Sequence, residues 1–243
     1  MQSVGIIPAR YASSRFEGKP LANLLGKPMV QHVYESACRA ETLDEVIVAT
    51  DDQRIYDAVI KFGGNVQMTG PCATGTERVA VVAEQLNCDI VANIQGDEPL
   101  LEPIQIDIML QPFIERPEVQ VCTLKQRVET VTDYRDVNVV KVVTNRQDDA
   151  LYFSRGSIPG RISEDELHKF PVYRHVGLYA YRRKQLLAFT KWNSTPYELA
   201  EGLEQLRFLE HGIPIHVVET NTLLIGVDVP ADLERVKQIL ETA

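Results

Sequence analysis

The chain has 243 residues, of which 44% are hydrophobic and 24% are charged. This length and balance are typical of a globular, soluble chain that buries one sizeable core. The net charge of −9 and the isoelectric point of about 5.1 argue against a sequence-independent nucleic-acid binder, because such proteins present a basic surface.

Short apolar runs alternate with amphipathic stretches, which is the pattern of an α/β chain with a mostly parallel sheet flanked by helices. The runs predict strands at Val4–Pro8, Glu45–Thr50, Asn65–Thr69, Ile90–Gln95, Val119–Leu124, Val139–Thr144, Val176–Tyr181 and Ile215–Glu219. The stretches between them predict helices at Pro28–Ala40, Asp52–Phe62, Thr76–Leu86, Pro103–Ile114, Arg182–Phe189, Pro196–Leu209 and Pro230–Leu240.

The segment from Ala150 to Arg174 breaks this rhythm with serine, glycine, proline and mixed charges. It predicts a long surface excursion. This excursion is explained either as a connection without a further role or as a functional loop. Since neither an internal repeat nor a dividing linker is present, the sequence predicts a single domain over residues 1–243.

The four cysteines, Cys38, Cys72, Cys88 and Cys122, share no CxxC spacing and no zinc-like interval to a histidine. We expect reduced thiols, with Cys72 exposed in its Gly/Pro/Thr loop, and therefore a reducing compartment. The sequence begins without the features of a signal peptide, and its apolar runs are shorter than the ~20 residues of a membrane span. These observations predict a cytoplasmic location and no membrane association.

Three cations, Arg10, Arg15 and Lys19, follow the first predicted strand within one loop rich in small residues. Ligands of open α/β sheets bind at the carboxyl ends of parallel strands. Small residues let backbone N–H groups approach phosphate oxygens, while the cations neutralise the charge. The loop is neither GxxxxGK[ST] nor GxGxxG, so the residues alone predict a phosphate-rich ligand without naming it.

A second candidate element is Gly75-Thr76-Glu77-Arg78, which runs from a Gly/Thr loop into a predicted helix. Free N–H groups at such a helix start favour an anion or a base edge. The alternative is a simple helix start capped by Thr74 or Thr76.

Two separated aspartates, Asp97 and Asp228, are candidate ligands of a divalent cation. Asp97 follows a buried strand in Gln-Gly-Asp-Glu-Pro, and Asp228 stands in Gly-Val-Asp-Val-Pro. Mg²⁺ takes carboxylate oxygens and bridges protein to phosphates. Locally, a turn explains Asp97 and an acidic helix start explains Asp228 equally well.

These motifs, in this order from Ile6 to Leu233, resemble the sugar cytidylyltransferases. The form Arg-Tyr-x-Ser-x-Arg-x-x-Gly-Lys-Pro-Leu at Arg10–Leu21 resembles the branch whose acceptor is the acid sugar 3-deoxy-manno-octulosonate (Kdo). The resemblance implies a Rossmann-like nucleotidyltransferase fold with an inserted dimerisation region, and a homodimer to whose contact residues 150–174 contribute. Glu17 stands where that family commonly has proline, which adds a negative charge beside Lys19.

The resemblance also implies a role for each candidate residue. The residues that would contact CTP are Pro8, Ala9, Arg10, Arg15, Lys19, Thr76 and Arg78. Asp97 and Asp228 would hold Mg²⁺, and together with Arg10 and Lys19 they form the catalytic group. The residues that would contact the acid sugar are Gln95, Arg155, His175, Tyr179, Glu204 and Gln205. Without the resemblance, packing or a solvent-exposed helix face would explain these residues.

The implied reaction transfers CMP from CTP to the anomeric hydroxyl of Kdo, giving CMP-Kdo and pyrophosphate for lipopolysaccharide synthesis. An 8-amino analogue of Kdo or sialic acid is the nearest alternative acceptor, although Tyr11 and Arg15 fit the Kdo branch. A metal-dependent glycosyltransferase is a second class, but it usually carries Asp-x-Asp where this chain has Gly-Asp-Glu. A non-catalytic nucleotide-binding module is a third, and the presence of both Asp97 and Asp228 speaks against it.

Overall fold

The computed structural model describes residues 1–12, 16–222 and 224–242, without the side chains of residues 164 and 165. Its strands are Ser3–Ala9 (β1), Asn23–Leu24 (β2), Lys27–Pro28 (β3), Glu45–Thr50 (β4), Val66–Met68 (β5), Ile90–Asn93 (β6), Val121–Arg127 (β7), Lys141–Thr144 (β8), Ala150–Ser154 (β9), Tyr173–Arg182 (β10) and Ile215–Glu219 (β11). Its α-helices are Met29–Ala37 (α1), Gln53–Lys61 (α2), Gly75–Glu84 (α3), Pro103–Glu115 (α4), Val131–Arg135 (α5), Arg183–Phe189 (α6), Pro196–Glu201 (α7), Leu206–Glu210 (α8) and Pro230–Thr242 (α9). Short 3-10 helices cover Lys19–Leu21 and Glu164–Lys169.

The chain forms two compact units. Unit 1 comprises Met1–Asp107 and Leu223–Ala243, and unit 2 comprises Ile108–Thr222. None of the helices in the described residues combines the length and the apolar character that crossing a membrane requires.

Unit 1 contains the parallel strands in the order β6-β1-β4-β5. Strand β1 is buried along nearly its whole length and contacts helices α1 and α3, which explains its continuous apolar run. Ile6, Ile7 and Val48 are fully buried at the centre of this core. A second cluster joins Met29 and Val227, with Phe16 of the first loop packed against it, so the C-terminal segment is fixed beside that loop.

Unit 2 contains β7 at the centre of a mixed sheet, paired with β11 in parallel and with β10 in antiparallel orientation. Strand β8 pairs with β10 and with β9, both antiparallel. The expected α/β fold with a mostly parallel central sheet flanked by helices is confirmed, whereas the single-domain organisation over residues 1–243 stays a prediction.

The structure corrects two sequence predictions in unit 2 and adds one helix that was not predicted. The helix expected over Pro196–Leu209 is two helices, because Gly202 adopts φ 61° as the C-cap of α7 and ends it. The excursion from Ala150 to Arg174 begins with strand β9, which pairs with β8. Helix α5 was not predicted, since only five residues form it.

Candidate active site

A cleft of about 390 Å³ in unit 1 lies at the carboxyl ends of β1 and β6. This is the edge of a parallel sheet where open α/β folds bind ligands. Its lining is formed by Pro8, Ala9, Arg10, Lys19, Pro20, Met29, Cys72, Ala73, Thr74, Gly75, Arg78, Gln95, Gly96, Asp97 and Asp228. The loops singled out from the sequence therefore meet at one place within this unit.

Gly96 allows the loop after β6 to approach β1 closely. A Cβ atom at Gly96 would lie 3.2 Å from the carbonyl oxygen of Pro8 and 3.3 Å from Cγ2 of Ile7. That spacing is tighter than ordinary van der Waals contact, so a side chain at this position would push the loop away. The glycine therefore brings Gln95 and Asp97 against the end of the first strand.

Lys19 connects the two aspartates at the centre of the cleft. Its Nζ donates to Oδ2 of Asp97 at 2.6 Å and lies 3.5 Å from Oδ1 of Asp228. The backbone N–H of Val227 donates to the carbonyl oxygen of Asp97 at 2.8 Å, which holds the two carboxylate-bearing segments together. The lysine side chain is 14% exposed and the two aspartate side chains are 33% and 53% exposed, so both carboxylates remain accessible to a ligand.

The two aspartates supply the oxygen atoms that a magnesium ion prefers as ligands. Oxygen atoms of both carboxylates lie within 3.5 Å of one ammonium nitrogen, so they converge on a single cationic position. Within the described residues, no group of three or more His, Cys, Asp or Glu side chains is arranged to hold a metal. Mg²⁺ is commonly held by one or two carboxylates, with substrate phosphates and waters filling the other positions.

The first loop is fixed next to this pair by contacts on both of its ends. Gly18 adopts φ 68° and its N–H donates to the carbonyl oxygen of Tyr11 at 2.9 Å. The guanidinium of Arg54 stacks on the Tyr11 ring, 3.2 Å from its centroid. Arg10 is exposed at the cleft, whereas the predicted nucleotide contact Arg15 lies outside the described residues.

In the second candidate element, Gly75-Thr76-Glu77-Arg78, the side chain of Arg78 lines the cleft and that of Thr76 does not. Arg78 lines the cleft with its side chain only 4% exposed, and it pairs with Asp51 at 2.8 Å and bonds to the hydroxyl of Thr69. Thr76 is buried, and its hydroxyl accepts from the amide of Asn93 at 3.4 Å outside the lining of the cleft. Its assignment to the nucleotide stays a prediction.

The residues that line the cleft before α3 are Cys72, Ala73, Thr74 and Gly75. Thr74 caps the helix by accepting from the backbone N–H of Glu77 at 3.1 Å, which decides between the two expected caps. Cys72 is half-buried instead of exposed, while Cys38 is exposed. Gly75 belongs to the predicted candidate element, whereas Cys72, Ala73 and Thr74 were not among the predicted ligand contacts, although the Gly/Thr composition of this loop was the available signal.

In unit 2 a β-bulge brings His175 and Tyr179 together. Along β10 these residues pair with Lys125 and Thr123, two positions apart on β7, because the register shifts between Val176 and Tyr179. The rings of His175 and Tyr179 lie 5.3 Å apart, centroid to centroid. Bulges of this kind commonly aim side chains at functional sites.

The imidazole of His175 is electrically neutral at ordinary pH. It contacts the ring of Phe153 at 5.1 Å and the hydroxyl of Thr123 at 3.1 Å from Nε2. Burial disfavours the charged form and lowers the pKa of His175 to about 3. The same cause raises the pKa of Tyr179 well above its ordinary value, with the charge of Glu204 contributing, so the tyrosine stays protonated.

Arg155 is held by backbone carbonyls and by Glu201. Its Nε donates to the carbonyl oxygen of Glu201 at 2.8 Å and its Nη1 donates to that of Val137 at 3.2 Å. The carboxylate of Glu201 accepts from the N–H of Arg155 at 2.9 Å and from the hydroxyl of Ser154 at 2.7 Å. Glu201 was not predicted, because a single glutamate on a helix gives no signal in the sequence.

We expected Glu204 and Gln205 to lie inside a helix. They lie instead in the turn between α7 and α8, where Gln205 is the N-cap of α8. The Nε2 atom of Gln205 is buried and has no hydrogen-bond partner among the described residues. The hydroxyl of Tyr179 likewise lacks a hydrogen bond of normal geometry to any described residue. Buried polar atoms without partners are costly, and a polar ligand would satisfy them.

Comparison with known proteins gives a consistent result. Residues 4–218 match the family model described as cytidylyltransferase. The chain is 51% identical over 249 residues to a 3-deoxy-manno-octulosonate cytidylyltransferase of Geobacter metallireducens, covering 99% of this chain and 98% of that protein. It is 52% identical over 250 residues to the protein of the same name from Geotalea uraniireducens, covering 99% of this chain and 100% of the relative.

A solved structure shares the fold over the whole length. The structure of CMP:2-keto-3-deoxy-manno-octonic acid synthetase complexed with CTP matches with a TM-score of 0.93 and 41% sequence identity. The match covers 100% of this chain and 99% of that one.

Proposed function

The chain belongs to the cytidylyltransferase family, and from this membership we infer that it transfers CMP from CTP to Kdo, giving CMP-Kdo and pyrophosphate. The observation that carries this conclusion is the full-length similarity, at about 50% identity, to proteins named for this activity. The solved relative complexed with CTP supports the same nucleotide. A cleft that combines cations with two carboxylates at the end of β1 supplies the groups that a nucleoside triphosphate requires.

We place the triphosphate of CTP in the unit 1 cleft beside Arg10 and Lys19. The anomeric hydroxyl of the sugar attacks the α-phosphorus, the bond to the bridging oxygen breaks, and pyrophosphate leaves. Such a reaction needs positioning and charge neutralisation more than covalent help from the protein. The two cations would stabilise the charge that develops on the leaving pyrophosphate.

The proposed cofactor is Mg²⁺, which Asp97 and Asp228 would hold. When bound, it would polarise the α-phosphate and make the sugar hydroxyl a better nucleophile. The convergence of both carboxylates on one ammonium nitrogen supports this assignment.

The acid sugar is assigned to five residues of unit 2, which we call the acid-sugar residues: Arg155, His175, Tyr179, Glu204 and Gln205. The expected contact of Gln95 with the sugar stays a prediction. The carboxylate of Kdo suits Arg155 and a neutral imidazole, while tyrosine, glutamate and amide side chains recognise hydroxyls. The buried Gln205 amide supports the assignment, because it leaves a donor available to a ligand. A guanidinium has five N–H donors, so Arg155 keeps donors beyond those used on carbonyls.

The activity is tested by incubating the chain with each nucleoside triphosphate, Mg²⁺ and one acid sugar at a time, while pyrophosphate and the product mass are followed. The sugars are Kdo, 8-amino-Kdo and sialic acid. We expect the highest kcat/KM with CTP and Kdo. Faster turnover of another sugar would replace the acceptor, since one contact in the sugar site is enough to switch specificity.

The same assay separates the other classes of function. Release of pyrophosphate from CTP distinguishes nucleotidyl transfer from glycosyl transfer, in which a nucleotide sugar is consumed. Binding of CTP without turnover on any of the three sugars would favour a non-catalytic nucleotide-binding module.

We further propose that the protein is a cytoplasmic homodimer with residues 150–174 in the contact. Exposed apolar side chains at Leu151 and Phe170 support a contact there. Sedimentation at micromolar concentration should give twice the chain mass, and a monomer would remove the proposal.

A further inference from the structure

Lys141 is a fully buried cation in unit 2 that the proposed reaction does not use. It is the first residue of strand β8. It is 0% exposed and is one of the largest completely buried side chains of the described residues. Lysine is almost never fully buried unless its ammonium is compensated. The position of this lysine therefore calls for a physical explanation.

The ammonium of Lys141 donates to backbone carbonyls instead of pairing with an acid. Its Nζ lies 2.7 Å from the oxygen of Asp136, 2.5 Å from that of Val139 and 2.9 Å from that of Arg155. Three hydrogen bonds use all three donors of the ammonium. Among the described residues no carboxylate lies within ion-pair distance of it, although the charges of Asp136 and Glu201 act on it from farther away.

This arrangement is expensive for a structural role alone. Burying an ammonium whose hydrogen bonds all go to neutral carbonyls costs more than burying an apolar side chain of the same length. Desolvation accordingly lowers the pKa of Lys141. A methionine would fill the space at lower cost, although it would leave three carbonyls without donors.

The carbonyls bound by Lys141 belong to the segments that position two acid-sugar residues. Residues 136–140 form the turn before β8, and the carbonyl oxygen of Val137 in this turn accepts from Nη1 of Arg155. The carbonyl oxygen of Val140 in the same turn accepts from the N–H of His175 at 2.8 Å. The ammonium thus fixes the turn from inside while the turn contacts Arg155 and His175.

We propose that Lys141 is a positioning residue for recognition of the sugar carboxylate. Its three hydrogen bonds hold the 136–140 turn and the Arg155 backbone in one arrangement. The ligand class is a carboxylate-bearing sugar. This inference rests on the proposed function of the acid-sugar residues and adds a buried group that touches no substrate.

The test compares Lys141→Met, which removes the charge and the donors, with Lys141→Gln, which removes the charge and keeps N–H donors. For each variant the KM for Kdo, the KM for CTP, kcat and the affinity for CTP are measured. We expect the KM for Kdo to rise about tenfold or more, since small displacements of positioning groups have effects of that order. The KM and affinity for CTP should stay within about twofold of the wild-type values, and the loss should be smaller in Lys141→Gln.

The matched control is Arg182→Gln, because Arg182 also donates to three backbone carbonyls in unit 2, those of Phe113, Pro117 and Val119. It should leave the ratio of the two KM values unchanged. Equal changes in both KM values for Lys141→Met, or no change in either, would overturn the proposal.

Loss of CTP binding in both Lys141 variants would also overturn it, since the lysine would then serve folding alone. Failure of the proposed function is a different result, because the wild-type chain would then form no CMP-Kdo before any substitution is made.

Discussion

The backbone N–H of Val227 donates to the carbonyl oxygen of Asp97, although the two residues are distant in sequence. The bond places Asp228 next to Asp97, and Lys19 then contacts both carboxylates. Each aspartate alone is explained by a turn or a helix start. Their convergence on one ammonium nitrogen is what makes them a candidate site for a divalent cation.

Replacement of Asp97 by asparagine should lower kcat by about 10²- to 10³-fold, the range seen when one electrostatic contact to the developing charge is lost. Asparagine keeps the shape and removes the charge, so the melting temperature should change little. The measurement is pyrophosphate release at saturating Mg²⁺ and CTP. Asp57→Asn, on the exposed side of α2, is the control, and a near-normal rate for Asp97→Asn would reject the metal assignment.

Replacement of Arg155 by alanine should raise the KM for Kdo about ten- to hundredfold, which corresponds to the loss of a hydrogen bond to a charged group. The KM for CTP should change much less, because the cations assigned to the nucleotide belong to unit 1. Steady-state kinetics with each substrate varied in turn measures both constants. Arg146→Ala removes an exposed arginine of unit 2 and should change neither constant, while equal effects of Arg155→Ala on both substrates would remove Arg155 from the sugar site.

His175 should make the free energy of unfolding depend on pH. Burial lowers the pKa of this histidine to about 3 in the folded chain, while an exposed imidazole has a pKa of about 6.5. Between these two values the unfolded chain binds more protons, so stability rises with pH and is lost as the pH falls from 6.5 toward 3.

One proton contributes a slope of at most about 1.4 kcal/mol per pH unit in this window. Urea unfolding of the wild-type chain and of His175→Gln between pH 5 and 6.5 measures the difference. The variant should lose most of this slope, and parallel pH profiles would contradict an imidazole that stays neutral in the folded chain.

Much of the fold was predictable because buried parallel strands are continuous apolar runs. The predicted bounds of β4 and β11 coincide with those observed, and those of β1 differ by one residue at each end. The prediction of one helix over Pro196–Leu209 was wrong. The apolar periodicity of this segment continues through Gly202 and gives no sign of the left-handed C-cap there that ends α7. Strand β9 was missed because it has only five residues and leads into a stretch of serine, glycine and proline that is typical of a loop.

The candidate site was predictable where a loop carries its own charges, as at Arg10 and Lys19, or follows a buried strand, as at Asp97. The contacts that assemble it were not predictable, because they link backbone groups distant in sequence, as Val227 and Asp97 do. Buried Lys141 gave no signal either, since a lysine at the start of a strand is ordinarily exposed. Sequence patterns report what a local segment can do, whereas such contacts depend on the tertiary arrangement.

Replacement of Gly96 by alanine should displace the loop that carries Asp97. The added methyl group would meet the carbonyl oxygen of Pro8 at 3.2 Å, and β1 cannot yield because it is hydrogen-bonded to β4 on one side and β6 on the other. We expect kcat/KM for CTP to fall about tenfold or more, while the chain stays folded. Gly70→Ala is the matched control, since no atom lies within 4 Å of a Cβ at that position. Unchanged kinetics in Gly96→Ala would mean that the close approach of this loop to β1 has no part in binding or catalysis.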